Sequence, residues 1–347
     1  MTTNLSRRRL LLNAAAAFSS GAGLLAPLHA FAQDAKPDDP ASLEVNARRI
    51  EHFDPRDASH VRYGALEFRS GLVLTSSFRG FGGLSALRLD KKGERFISLS
   101  DKANWFTGLL TYRGKALSGL ADVKSAPILG SDGKPISQRG WFDTESLAFD
   151  GTTAYVGLER VNQILRFDFG KDGIRARGEP ISLPAGIDKL PFNKGLESLV
   201  FVPKGQPLAG TLIAISERGL DPAGNILGFL IGGPAPGQFS VKRTKNFDIS
   251  DATLLPSGDL LLLERKFSVM EGVGIRIRRV SAGSIARDAV IDGPTIFEVD
   301  LGYEIDNMEG IDTHVAENGD TVVTMISDDN FSMIQRTLLL QFTLVEE

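Results

Sequence analysis

The sequence predicts an all-β fold, and a β-propeller is the closed arrangement that fits it best. Five segments of the chain follow one pattern, which is typical of a repeat architecture. Short apolar runs alternate with Gly-containing turns throughout these segments, as expected for strands joined by hairpins. No stretch of about a dozen residues beyond the N-terminal segment shows helical periodicity.

Each of the five segments has the same order of features. A small or acidic pair comes first, followed by a strand, a Gly-containing turn, a second strand that ends in an acidic or acidic-basic pair, and a third strand. The segments begin near residues 83, 145, 197, 251 and 309, and this spacing of about 50–60 residues suits one four-stranded blade per repeat. A β-sandwich would not need the repeated acidic pairs, and a β-solenoid would need shorter repeats. Residues 105–142 are long enough to contain a further blade, so the sequence is compatible with five or six blades.

The turns and the two ends of the chain suggest how the ring closes. The stretches "FDGTT", "PSGDL" and "ENGDT" place Asp-Gly, Ser-Gly or Asn-Gly between two apolar runs, which predicts short hairpins. The last repeat contains three strands rather than four. We expect residues 61–77 to supply the missing strand by pairing with residues 336–343, because a ring closed in this way has no exposed sheet edge.

The first 32 residues have the features of an export signal. Arg7 and Arg8 precede a weakly apolar stretch that ends in "AFA", which predicts a cleaved twin-arginine signal peptide. Residues 33–41 are polar and Pro-rich and are interpreted as a linker, which leaves residues 42–347 as one domain. No later segment is long and apolar enough to span a membrane. We therefore expect the twin-arginine export machinery as a partner and a periplasmic or secreted mature protein.

Composition excludes several classes of function. The 347 residues include no cysteine, so disulfides and thiolate zinc sites are ruled out. The net charge is −4 with no basic block beyond the first ten residues, which argues against a nucleic-acid partner. No G-x-S-x-G motif is present to support a nucleophilic serine. His52, His60 and His314 are too scattered in the sequence for a zinc site.

The acidic pairs should meet at one mouth of the central channel. In a blade, strand two returns antiparallel to strand one, so the start of strand one and the end of strand two lie on the same face. The starts of strand one are Glu145, Glu197, Asp251 and Glu309, and the ends of strand two are Asp101, Glu159, Arg160, Glu217, Arg218, Glu264, Arg265, Asp328 and Asp329. An excess of carboxylates attracts a hard cation such as Ca²⁺, whereas interleaved arginines suit a phosphate or carboxylate ligand. Alternatively, the Glu-Arg pairs are structural and satisfy one another.

Several long motifs resemble one known family. The stretches "GLESLVF", "LIAISERG", "DATLLPSGDLLLLERKF", "NMEGI" and "SDDNFSMIQRTLLLQF" occur in the order found in the phytase-like family, whose domain is called "esterase-like activity of phytase". The resemblance runs from about Gly64 to Phe342. It implies a propeller that hydrolyses a phosphorylated small molecule with the help of Ca²⁺.

The resemblance also implies roles for individual residues. Arg218, Arg265 and Arg336 would bind phosphate, and no catalytic residue is predicted. The residues that would hold Ca²⁺ are Glu145, Glu197, Glu217, Glu309 and Asp328. The Glu-Arg pairs place a cation beside many of these carboxylates. This favours an alternative function, in which the propeller binds a small ligand or a partner protein at the same face without catalysis.

Overall fold

In the part of the chain that the structure describes, short runs rich in Leu, Ile and Val, each ended by a turn, form 25 strands and only a few helical turns. The computed structural model describes residues 40–268 and 272–345. The predicted signal peptide and nearly all of the predicted linker lie outside these residues. No helix in the two described ranges has the length and hydropathy needed to cross a membrane.

The strands form five sheets, each of which is one blade of a propeller. The N-terminal strands are β1 (Ala41–Ser42), β2 (Asn46–Ile50), β3 (Arg62–Tyr63) and β4 (Leu66–Thr75). Blade 1 contains β5 (Leu84–Leu89), β6 (Arg95–Ser100), β7 (Asn104–Arg113) and β8 (Ala116–Pro127), with β1 at its edge. Blade 2 contains β9 (Leu129–Gly130), β10 (Thr144–Asp150), β11 (Thr153–Leu158), β12 (Gln163–Asp168) and β13 (Arg177–Pro180).

The other three blades follow the same plan. Blade 3 contains β14 (Leu196–Phe201), β15 (Thr211–Leu220), β16 (Ile226–Gly232), β17 (Gly237–Val241) and β21 (Val290–Ile291). Blade 4 contains β18 (Asp248–Leu254), β19 (Leu260–Ser268), β20 (Gly272–Val280) and β22 (Thr295–Asp300). Blade 5 contains β23 (Asn307–Val315), β24 (Thr321–Asp328) and β25 (Thr337–Leu344), together with β4, β2 and β3.

Within residues 40–268 and 272–345, helical structure is confined to short turns between strands. The α-helical turn is α1 (Phe169–Asp172), and the 3₁₀ turns are Ile136–Arg139, Glu159–Val161, Gly173–Arg175, Ile187–Lys189 and Ala282–Ser284. The sequence left open a sixth blade within residues 105–142. Most of that segment instead forms β7 and β8, the third and fourth strands of blade 1, so the described chain has five blades.

The expected ring closure is confirmed. Strand β25 pairs antiparallel with β4, from Thr337 opposite Leu74 to Leu344 opposite Leu66. Strand β2 then pairs with the outer side of β4 and covers it. The predicted linker, residues 33–41, extends one residue too far. Its last residue, Ala41, pairs with Ser125 and so is already part of blade 1.

The hydrophobic core is divided among the five interfaces between neighbouring blades. Each cluster of buried side chains contains residues from two adjacent blades, so the blades are held by apolar contact as well as by the closing strand. The first strand of every blade packs against the first strand of the next one. These five strands, β5, β10, β14, β18 and β23, therefore surround the central channel.

Candidate functional site

Each of the five channel-lining strands has a β-bulge near its start. In blade 3, Leu196 lies opposite Ser216 and Ser198 lies opposite Ile215, so Glu197 has no partner on β15. The same irregularity occurs at the corresponding point of every other blade. A bulge re-aims the side chain of the extra residue. We call these extra residues the bulge ring, and they are Ser85, Glu145, Glu197, Ser250 and Glu309.

A second ring of residues comes from the neighbouring strand of each blade. The backbone N–H of Glu217 donates to the carbonyl of Gly195, just before the bulge, and Glu159 and Asp101 make the equivalent bond in their own blades. The register of blades 4 and 5 gives the other two members. We call this set the strand-two ring, and its members are Asp101, Glu159, Glu217, Arg265 and Asp328. The two rings together form the acidic mouth, with seven carboxylates and one guanidinium.

The register corrects the prediction for Asp251. In blade 4 the bulge residue is Ser250, so Asp251 lies one position deeper in the channel. Its two carboxylate oxygens accept bonds from the Arg88 guanidinium at 2.9 and 2.8 Å. Arg88 also donates to the carbonyl oxygens of Leu199, Ala252 and Ile311. Asp251 therefore belongs to a plug in the channel and not to the acidic mouth.

The prediction for Glu264 is wrong by the same one-residue shift. Glu264 lies opposite Ile249, and Arg265 is the residue that takes the mouth position. The Glu264 side chain is fully buried and accepts paired bonds from Arg276 and Arg278, between 2.7 and 3.0 Å. Glu264 is thus the centre of a structural ion-pair cluster within blade 4.

Three carboxylates of the mouth approach one another closely. One oxygen from each of Glu159, Glu197 and Glu217 lies within 4.8 Å of the other two, and all three side chains are buried. Glu159 accepts a bond from the Gly195 N–H at 2.9 Å and is within hydrogen-bonding reach of Glu197. Two carboxylates so close cannot both be ionised cheaply, so either a proton or a cation must be shared between them.

Two cations lie at the edge of this cluster. The Lys194 ammonium donates to Glu217 at 2.5 Å, and the Arg265 guanidinium reaches the other Glu217 oxygen at 3.3 Å. Arg265 is also 2.5 Å from a carboxylate oxygen of Glu309 and from the amide oxygen of Asn307. The sequence did not predict Lys194 or Asn307, because neither belongs to the repeated acidic pairs.

Burial and mutual repulsion raise the pKa values of several carboxyls of the mouth. The pKa of Glu145 and that of Glu197 lie well above their ordinary value, first because of burial and then because of neighbouring carboxylates. Burial also raises the pKa of Glu309 to about 8 and that of Asp328 to about 7. Burial lowers the pKa of Arg265, but the surrounding carboxylates outweigh it and raise the value overall.

Four other predicted residues have partners outside the acidic mouth. Arg218 pairs with Asp248, and Arg336 pairs with Glu304 and Asp306. Arg160 lies over the ring of Phe142, 4.1 Å from its centroid. The carboxylate of Asp329 accepts bonds from the N–H groups of Gly83 and Phe331 and from the Thr337 hydroxyl. Of the three arginines that the resemblance assigned to phosphate, only Arg265 reaches the carboxylates of the two rings.

One protein-family model matches most of the chain. The family model described as "Phytase-like: Esterase-like activity of phytase" matches residues 79–331. The chain belongs to the phytase-like family. The matched range includes both rings of the acidic mouth, from Ser85 to Asp328. No curated protein matches the phytase-like chain in sequence.

Solved structures resemble the phytase-like chain only at a distance. An endo-arabinase from Bacteroides thetaiotaomicron has 14% identity and a TM-score of 0.46, over 78% of this chain and 96% of the other. A hypothetical protein from Leishmania major has 10% identity and a TM-score of 0.40, over 82% and 86%. A putative 6-phosphogluconolactonase from Bacteroides uniformis has 15% identity and a TM-score of 0.35, over 85% and 80%. At these scores the similarities do not bear on function.

The mouth of this phytase-like propeller has a donor set that fits Ca²⁺. All candidate ligands are carboxylate oxygens, the type that Ca²⁺ prefers, and the spacing of the Glu159, Glu197 and Glu217 oxygens is compatible with a shared ion. Among the described residues, Asp101 Oδ1 is buried in the mouth without a hydrogen-bond partner. Buried polar atoms are normally satisfied, so this oxygen is available to a ligand. The Glu217 carboxylate would have to bind the ion while it also accepts the hydrogen bond from Lys194.

Proposed function

We propose that this protein is a Ca²⁺-dependent phosphoester hydrolase whose site is the acidic mouth. The observation that carries the proposal is the close approach of the Glu159, Glu197 and Glu217 oxygens in a buried position. A bound Ca²⁺ would supply positive charge to attract a phosphate group and to polarise it for attack by water. Membership of a family named for esterase-like activity of phytase supports the same class of reaction.

The side chains around the cluster divide into two roles in this proposal. Glu159, Glu197 and Glu217 hold the ion, while Glu145, Glu309 and Asp328 extend the carboxylate surface around the ring. Arg265 and Lys194 are the cations nearest to the cluster. Both can bind phosphate oxygens once their carboxylate partners turn to the ion, because charge-assisted bonds to either acceptor are similar in geometry. The substrate is a phosphorylated small molecule.

Glu197→Gln is the sharpest test of this proposal, because no cation is bonded to Glu197 in the described structure. The mature protein is assayed on p-nitrophenyl phosphate and on phytate, with Ca²⁺ and with EDTA. We expect Ca²⁺-dependent hydrolysis that falls about a hundredfold or more in the variant, since a metal ligand and its charge are lost. Glu179→Gln, a change at an exposed carboxylate of blade 2, serves as the control and should retain full activity.

A non-catalytic ligand-binding propeller is the second candidate. It is favoured by the ion pairs of Arg265 with Glu309 and of Lys194 with Glu217, which would compete with Ca²⁺ for the same oxygens. If that candidate is correct, neither phosphoester is hydrolysed under any metal condition, and Ca²⁺ leaves the melting temperature unchanged. Hydrolysis that is insensitive to EDTA and to Glu197→Gln would contradict the proposed site.

We also propose that the protein is exported to the periplasm or secreted through the twin-arginine route. The support is the sequence around Arg7 and Arg8, which precedes the described residues. Changing both arginines to lysine should leave the full-length precursor in the cytoplasm, as measured by fractionation and immunoblotting. Normal export of that variant would contradict the twin-arginine route, while a precursor that is never shortened would contradict cleavage near residue 32.

A further inference from the structure

A large cavity lies at the face opposite the acidic mouth. It has a volume of about 970 Å³ and is formed by the far ends of the channel-lining strands and the hairpins that follow them. This volume lies in the range of small-molecule sites, which is about 300–1,000 Å³. The Arg88–Asp251 pair lies between this cavity and the acidic mouth, so the two are separate.

The wall of the cavity is mostly apolar and includes several aromatic rings. Phe149 and Phe169 are in edge contact, with centroids 5.7 Å apart, and both line the cavity. Phe201 lines it from the next blade and stacks on Tyr155 with centroids 6.0 Å apart. Rings that are already fixed by packing against one another form a rigid surface for an apolar ligand.

At the rim of the cavity the cationic side chains outnumber the acidic ones, which favours an anion there. At its floor, Arg88 is bonded to Asp251, and Asp312 accepts bonds from the Leu89 N–H and the Thr253 hydroxyl. At its rim, Lys91 and Arg95 lie on blade 1, and the described structure contains no ion pair for either. The remaining acid, Asp90, uses one oxygen to accept the N–H groups of Glu94 and Arg95. His314 in the wall adds no positive charge at neutral pH, because burial lowers its pKa.

We propose that this cavity is a second binding site, which takes a small molecule with an apolar, ring-sized body and one anionic group. The body lies against Phe149, Phe169 and Phe201, and the anion lies at the rim beside Lys91 and Arg95. The acidic mouth differs in chemistry, since its lining is dominated by carboxyl groups rather than by aromatic rings and cations. The two faces of the propeller therefore select ligands of different chemistry.

The probe for this site is 1-anilinonaphthalene-8-sulfonate, which combines two aromatic groups with one sulfonate. Fluorescence titration of the full chain should give one saturable site. The double change Lys91→Glu and Arg95→Glu should weaken binding about tenfold or more, because attraction becomes repulsion. N-phenyl-1-naphthylamine has the same body without the sulfonate, and its affinity should change less than twofold. Phe149→Asp should weaken both probes, because it places a charge in the apolar wall.

Two controls separate this cavity from other surfaces. Phe267 is 76% exposed and is the type of residue to which such dyes bind adventitiously, so Phe267→Ser should leave the titration unchanged. Glu197→Gln and millimolar Ca²⁺ should also have no effect, because both act at the opposite face. The proposal is overturned if circular dichroism shows folded cavity variants that still bind both probes normally. Loss of binding in Phe267→Ser, or displacement of the dye by Ca²⁺, would overturn it equally.

Discussion

Replacing Arg88 by methionine should lower the free energy of unfolding by about 3–5 kcal/mol, as is typical when one partner of a buried ion pair is removed. Arg88 extends from blade 1 and bonds to backbone or side-chain atoms of blades 3, 4 and 5. Asp251 is fully buried and would lose its charged partner. Methionine keeps much of the apolar stem, so most of the loss reflects the uncompensated carboxylate.

Denaturant unfolding of three variants tests this expectation. Adding Asp251→Asn to Arg88→Met should recover a large part of the lost stability, because the buried charge is removed while the side-chain oxygen can still accept the Ile311 N–H. Arg166→Met removes an exposed arginine that pairs with Glu179 at 3.8 Å, and it should change stability by less than about 1 kcal/mol. A loss of about 1 kcal/mol or less for Arg88→Met would show that the plug does not hold the blades together.

The sequence was sufficient to predict the propeller, because its fold depends on features that repeat. The turns "FDGTT", "PSGDL" and "ENGDT" do form the hairpins β10–β11, β18–β19 and β23–β24. The closing pair β4–β25 followed from a repeat that had one strand too few. Such features survive errors of one or two residues in alignment, since a blade is defined by the order of its strands.

The site needed single-residue accuracy, and there the sequence was ambiguous. In blade 4, aligning the stretch "DISDATL" by its acid gives Asp251, whereas the bulge falls on Ser250. The segments "TESL", "LESL" and "MEGI" place the bulge residue immediately before a small residue and an apolar one. Aligning "ISDA" by that apolar position would have identified Ser250. A shift of one residue along a β-strand turns the side chain to the opposite face. The error in alignment therefore assigned Asp251 and Glu264 to the acidic mouth, where neither side chain lies.

Other parts of the site depend on contacts between distant blades. Lys194 precedes its blade by two residues and meets Glu217 only because β14 and β15 pair. Arg88 was not predicted at all, since its partner Asp251 is 163 residues away and belongs to another blade. No periodic pattern in a single sequence records such a pairing.

The second large effect is expected in how stability depends on pH and Ca²⁺. Without metal, the melting temperature should fall by several degrees between pH 5 and pH 8. The folded-state pKa values of Glu309 and Asp328 are raised to about 8 and about 7, and those of Glu145 and Glu197 also lie well above the ordinary value. A carboxyl with a raised pKa stabilises the fold below its ordinary pKa and loses that contribution as pH rises through the folded value. For one carboxyl, a difference of about one pKa unit between the folded and unfolded states corresponds to about 1.4 kcal/mol in the free energy of unfolding.

Titration of His314 acts in the opposite direction but cannot cancel this trend. Burial lowers its pKa, so its contribution to stability increases as pH rises towards neutrality. It is one group against four carboxyls, and the strongly lowered pKa of Asp54 affects stability only at more acidic pH. The net expectation for the metal-free protein is a decline from pH 5 to pH 8, measured by differential scanning calorimetry in EDTA.

Calcium should reverse that decline. Glu197→Gln distinguishes the effect of carboxyl ionisation from the effect of Ca²⁺ binding. At pH 8 Ca²⁺ binds to ionised carboxylates, and at a hundredfold excess over its dissociation constant it would add about 2.7 kcal/mol to the free energy of unfolding. At pH 5 the ion must displace protons from these carboxyls, so it adds less. Glutamine resembles the protonated acid, so the metal-free variant should be more stable than the wild type at pH 8 and equal to it at pH 5. It should also lose most of the Ca²⁺ response. Glu309→Gln removes a partner of Arg265 at 2.5 Å, so its gain in metal-free stability at pH 8 should be smaller than that of Glu197→Gln, whose carboxylate has no cation bonded to it in the described structure. A flat pH profile in EDTA together with no response to Ca²⁺ would mean that Lys194 and Arg265 already neutralise the mouth, and the acidic rings would then be structural.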